Sequence, residues 1–248
     1  MDFDRHCAEI VTQTELLATE SADADLASPV PSCPGWTLGN LVRHLGGGHR
    51  WAEEIVRTRA TAPLPDDRVR QVDGDDSGPL PGSWLVEGAS RLASALREAG
   101  PDAEVWVPFH YGTASFYARR FTHETLVHRA DATLAAGLKF RAAPEVVLDA
   151  VDEWMELEAL PQHFEFRPEK REILGEGRSV GFEAAEHAWF LDLTGSVVAW
   201  ERGRREAAAT VRGSLTDLLL VLYQRKDADE VVGDREFFER WQTHVRFG

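Results

Sequence analysis

Glu124 and His128 stand four residues apart in the segment 119–131. On a helix that spacing sends both side chains from one face, one turn apart. At about 100° per residue, Tyr117, Phe121, Glu124, His128, Asp131, Ala135 and Leu138 share an arc of roughly 100°. The carboxylate, the imidazole and Asp131 therefore interrupt an apolar stripe that should face a core. An unpaired buried carboxylate is costly, so a compensating partner is expected. A metal ion is one candidate.

Two ligands do not complete such a site. Catalytic zinc usually has three protein ligands and an open position. The third is expected from a neighbouring helix, and His44, three residues after Leu41, faces inward. His49 follows His44 by five residues, about 140° away, so the two do not share a face. His123 points about 100° off the stripe. A zincin reading fails, because His-Glu-x-x-His needs histidine at Val127. The competing reading of Glu124 and His128 is a surface pair or a satisfied buried pair. Asp131, three residues after His128, is either an acceptor that orients an imidazole or a surface carboxylate near Arg129. Cys33, in Ser32-Cys33-Pro34-Gly35-Trp36, reads as a small residue in a tight loop rather than a reactive thiol, since no adjacent cation lowers its pKa. No Ser/His/Asp order, phosphate loop or dinucleotide fingerprint stands out.

The elements that must position these residues follow from the rest of the chain. Its 248 residues fit one large domain or two small ones, and 43% hydrophobic with 28% charged content allows a real core. A net charge of −15 argues against a nucleic-acid groove or an anionic membrane surface. Two cysteines, Cys7 and Cys33, are too few for a disulfide scaffold or a thiolate cage. The opening residues show no secretion signal, and no apolar run of about 18 residues suggests a membrane span. A cytoplasmic location is the resulting expectation. Only Lys139, Lys170 and Lys226 are lysines among 27 basic residues, an Arg bias that points to a GC-rich bacterial source.

Periodicity predicts a helix from Phe3 to about Ala22, a loop from Ser28 to Gly35, and a helix from Leu38 to about Arg59 capped by Thr37. Residues 61–82 read as a long loop. Helices follow over Ser83–Ala99 and about Thr113–Gly137, with a short extended piece at Val105–Phe109. Four helices with one inward face each fit a four-helix bundle. A break at Arg141–Pro144 separates residues 1–140 from a domain of different texture, 141–248. There a helix is predicted from Glu145 to about Leu160, then strands at Val180–Phe182, Ala188–Leu193, Val197–Glu201 and Ala207–Val211. Ser214 and Asp217 resemble a capping box before Leu215–Leu222. A strand at Glu230–Val232 precedes a last helix capped by Asp234. This half reads as α+β.

The stretches Cys33 to Leu45 and Arg120 to Ala132 resemble the mycothiol-dependent maleylpyruvate isomerase family of actinobacteria, within the DinB-like metal-binding four-helix bundles. Val211 to Arg225, Val232 to Asp234 and Trp241 look like that family's smaller, sterol-carrier-like α+β domain. The resemblance implies a divalent metal, typically zinc, held by His44, Glu124 and His128, the set chosen above from spacing. It also implies an active-site arginine in the C-terminal domain, best matched by Arg225. Here Tyr223-Gln224 stands where a glycine before the arginine is common. A helix C-terminal cation favoured by the dipole is the alternative for Arg225.

The implied function is a metal- and mycothiol-dependent isomerase or S-transferase acting on a small electrophile, through a thiol made thiolate by the metal. Arg225 would hold a carboxylate, and the pocket is expected between the two domains. The alternatives are a non-catalytic metal-binding protein and a binding module for a small apolar ligand. The His/His/carboxylate set suits zinc, iron or nickel. Substrate and oligomeric state are not readable from spacing.

Overall fold

Thr37 and Asn40 close a reciprocal cap: the Thr37 hydroxyl accepts from the Asn40 amide at 3.2 Å, and Asn40 Oδ1 accepts from the Thr37 amide at 2.9 Å. This cap starts the helix that carries His44. In the computed structural model, which describes residues 1–65, 82–108 and 111–245, that helix is α2 (Leu38–Thr58). It is preceded by α1 (Phe3–Glu20) and followed by α3 (Gly82–Ala99). Next comes a hairpin of β1 (Glu104–Trp106) and β2 (Tyr111–Thr113), then α4 (Ala114–Ala135). The helical boundaries lie within about two residues of those predicted from periodicity, the usual scatter at frayed ends. Most of the expected 61–82 loop, residues 66–81, lies outside the described residues, as does Phe109 of the expected extended piece.

The chain divides into two compact units, Met1–Arg141 and Ala142–Gly248. In the first, α1 packs on α3 and α4, and α2 packs on the same two, so the four helices close a ring. This is the four-helix arrangement expected from four single-faced helices. Burial on α4 departs from the expected single apolar stripe. Leu138 lies beyond the helix and is exposed, whereas Thr122, His123 and Arg129, off the stripe, are buried. The reason is that α4 has three helical neighbours rather than one face on a core.

Glycines set how closely α2 approaches its partners. A Cβ on Gly46 would sit 2.2 Å from the Trp84 ring, and one on Gly48 would sit 3.3 Å from Phe121 of α4. The Arg50 guanidinium stacks 3.9 Å over Trp84 and donates to the Trp84 carbonyl at 2.9 Å. Gly46 therefore lets α2 approach Trp84 of α3 closely, and Gly48 lets it approach Phe121 of α4.

The second unit is α+β. It holds α5 (Pro144–Glu158), a single turn α6 (His163–Phe166), a 3₁₀ segment (Pro168–Ile173), and strands β3 (Ser179–Ala184), β4 (His187–Asp192), β5 (Ala199–Arg202) and β6 (Ala209–Arg212). Then come α7 (Leu215–Leu222), β7 (Glu230–Gly233) and α8 (Arg235–His244). The five strands form one sheet in the order β5-β4-β3-β6-β7, antiparallel except for the β3–β6 pair. Trp154, Trp241, Phe182 and Phe238 meet in its core, with ring centroids 5.7–5.8 Å apart around Trp241. No described helix is long and apolar enough to cross a membrane.

Candidate metal centre

His44 from α2 and Glu124 and His128 from α4 come together. One donor atom from each lies within 4.8 Å of the other two. His128 Nε2 is 3.1 Å and His44 Nε2 3.7 Å from the same oxygen, Glu124 Oε1. The His44 and His128 rings meet edge to face at 5.1 Å. His44 and Glu124 are each 33% exposed and His128 is 10% exposed, so the group opens to solvent on one side. Trp36, from the loop before α2, stands 5.0 Å from the His44 ring.

The other atoms of these side chains are held from behind. His128 Nδ1 donates to Asp131 Oδ2 at 2.9 Å, which turns Nε2 toward Glu124. Asp131 is fully buried. Its Oδ1 accepts from Ser32 Oγ at 2.5 Å and its Oδ2 accepts from Cys33 Sγ at 3.7 Å. Of the two readings open for Asp131, the structure thus selects the acceptor of a histidine proton over the surface carboxylate. Glu124 Oε2 accepts from Arg120 at 3.1 Å.

These bonds shape the charges. Burial pushes Glu124 up, but hydrogen bonds from His128 and His44 and the Arg120 cation outweigh it and hold the carboxyl well below its ordinary value. Burial also pushes His128 down, yet Asp131 and Glu124 raise it to about 9. Two imidazole nitrogens and one carboxylate oxygen lie close enough together to share a proton or a divalent ion. The donor set, two histidines and one carboxylate with an open side, is chemically that of a divalent transition metal with a free coordination position.

His49 and His123 stay out of the group, as their angles on the helices require. His49 is fully buried, and burial with the Arg50 cation pushes it down to about 3, so it is neutral. Thr125 Oγ1 donates to the Phe121 carbonyl at 2.6 Å, so it accepts from His49 Nε2 at 2.9 Å. That bond ties α2 to α4 beside Glu124. Cys33 Sγ donates to Asp131. Cys7 is buried, which pushes its thiol up to about 11. Arg225 belongs to the second unit. Its amide closes the end of α7 on the Leu220 carbonyl at 2.7 Å, and its guanidinium donates to the Tyr223 carbonyl at 2.6 Å. Gln224, just before it, sits at φ +58°. That left-handed position is where glycine is free of strain.

Spacing on one helix found Glu124 and His128. It missed Arg120, although its place four residues before Glu124 is a pairing signal. It also missed Ser32, which no local pattern joins to Asp131, 99 residues away.

The sequence family described as the mycothiol maleylpyruvate isomerase N-terminal domain matches residues 7–133. No curated protein matches the chain. Among solved structures, a crystal structure of the mycothiol-dependent maleylpyruvate isomerase is similar at a TM-score of 0.60, with 18% identity over 94% of this chain and 92% of that one. A structure of a histidine-to-alanine mutant under the same name is similar at 0.58, with 15% identity and the same coverage. At these identities the structural likeness speaks for the fold. The family match covers more than half of the chain and includes His44, Glu124 and His128, and the chain belongs to the mycothiol maleylpyruvate isomerase family.

Proposed function

We propose that the chain is a metal- and mycothiol-dependent enzyme that acts on a small electrophile, by cis-trans isomerisation or by S-transfer. The observation that carries this reading is the convergence of His44 Nε2, Glu124 Oε1 and His128 Nε2 on one open-sided point within a chain of this family. Zinc suits the donor set, as do iron and nickel. A bound ion supplies a centre that favours the thiolate form of a thiol, and mycothiol supplies the sulfur nucleophile that adds to an activated carbon.

The chain's own residues prepare this chemistry. Asp131 accepts a hydrogen bond from His128 Nδ1–H, which leaves the Nε2 lone pair to face an ion. His44 and Glu124 present the remaining donors on the exposed side. Neither cysteine is placed as the nucleophile: Cys7 is buried, and the Cys33 thiol faces a carboxylate. An external thiol is therefore required.

The test is turnover of a panel of small electrophiles by metal-loaded protein, with and without mycothiol. Conversion that needs both the thiol and the ion supports the reading. Stoichiometric ion binding with no thiol-dependent conversion would leave a metal-binding protein without this activity. A second expected outcome concerns Asp131. Asp131→Asn should lower ion affinity by about 10–100-fold, because the ligand imidazole loses its charged orienting acceptor. Competition with a chelating dye measures this, and unchanged affinity would remove Asp131 from the site.

A further inference from the structure

Glu124 has two oxygens with different surroundings. Oε1 faces the His44 and His128 nitrogens at 3.7 and 3.1 Å. Oε2 accepts from the Arg120 guanidinium at 3.1 Å. Arg120 lies one turn before Glu124 on α4, with its side chain 17% exposed.

We propose that Arg120 is a positioning residue that confines Glu124 to one-oxygen ligation and thereby keeps a coordination position open for the thiol. This rests on the assignment of His44, Glu124 and His128 as ligands. A carboxylate with both oxygens free can chelate an ion through both, which fills a position that substrate or thiol would otherwise take. A guanidinium on Oε2 satisfies that oxygen with a charge-assisted hydrogen bond and draws its negative charge away from the ion. A lysine in its place would supply the charge from a more flexible stem that holds Oε2 less firmly.

The test uses full-length protein loaded with cobalt(II), whose visible absorption weakens as coordination number rises. The wild-type protein is expected to give the intense bands of a low-coordinate ion. Arg120→Met should bind cobalt with a several-fold loss of absorption per ion, and added thiol should perturb its spectrum far less than that of the wild type. Arg120→Lys should fall between the two. If Arg120→Met binds one equivalent and its spectrum and thiol response match the wild type, the inference is overturned while the ligand assignment stands. If the wild-type protein takes up no cobalt, the ligand assignment falls and the inference with it. A second measurement needs no variant: in a crystal structure of the zinc-loaded protein, only one Glu124 oxygen should lie at about 2.0–2.2 Å from the ion. Both oxygens at bonding distance would overturn the proposal.

Discussion

Replacing His128 with alanine is expected to lower divalent-ion affinity by two to three orders of magnitude while the helices persist. Structural zinc sites with four ligands bind with apparent energies of about 10–16 kcal/mol, so one ligand carries about 3–4 kcal/mol. His128 carries more than its own bond. It joins Asp131 to Glu124 through its two ring nitrogens, so its loss also releases the carboxylate that presents Oε1. The change leaves the buried Asp131 without its cationic partner, which costs about 1–3 kcal/mol of stability. Ser32 and Cys33 still satisfy that carboxylate in part, so the fold should survive. Elemental analysis and chelator competition measure the affinity, and circular dichroism checks the helices. A folded variant that keeps about one ion per chain at wild-type affinity would exclude His128 as a ligand.

The second large effect is expected in the α+β unit. Lys170 Nζ donates to Glu158 Oε2 at 2.7 Å, and both side chains are almost fully buried. Lys170→Met should destabilise this unit by about 3–5 kcal/mol near pH 8, because it leaves a buried carboxylate without its cation. The pH dependence gives the cause away. Burial raises Glu158 to about 6, against the opposing pull of Lys170. A carboxyl raised in the folded state favours folding when protonated. Its contribution is therefore complete below the unfolded value near 4.5 and is lost as pH rises through about 6. Without Lys170 the carboxyl should rise further, so the loss should continue to higher pH, and the variant should recover much of its stability near pH 5. Urea unfolding at pH 5 and pH 8, followed by tryptophan fluorescence, measures this. An equal loss at both pH values would show that the ion pair is not the source of the effect.

Much of the architecture was legible because it is periodic and local. The caps at Thr37, Ser214 and Asp234 start α2, α7 and α8 where hydroxyl or carboxylate side chains precede apolar repeats. Strands β3, β4, β6 and β7 fall close to the expected runs, because alternation and turn residues are also local signals. The turn α6, the 3₁₀ segment at Pro168–Ile173 and strand β2 were not anticipated. Each is shorter than the window over which a period becomes visible. The parallel β3–β6 pairing was equally hidden, since which strands become neighbours depends on how the intervening chain packs.

In the candidate centre the same division holds. The amino-acid sequence by itself determined that Glu124, His128 and Asp131 share a face, because 3.6 residues per turn leaves them no other arrangement on a helix. It also determined that His49 and His44 part company on α2. Only the tertiary structure decided that His44 stands 3.7 Å from Glu124, that His49 pins α2 to α4 through Thr125, and that Ser32 reaches Asp131. The approach of α2 to α4 depends on how closely Phe121 sits against Gly48. Helical periodicity orients a side chain about its own axis, but the separation of two axes is set by the volumes packed between them.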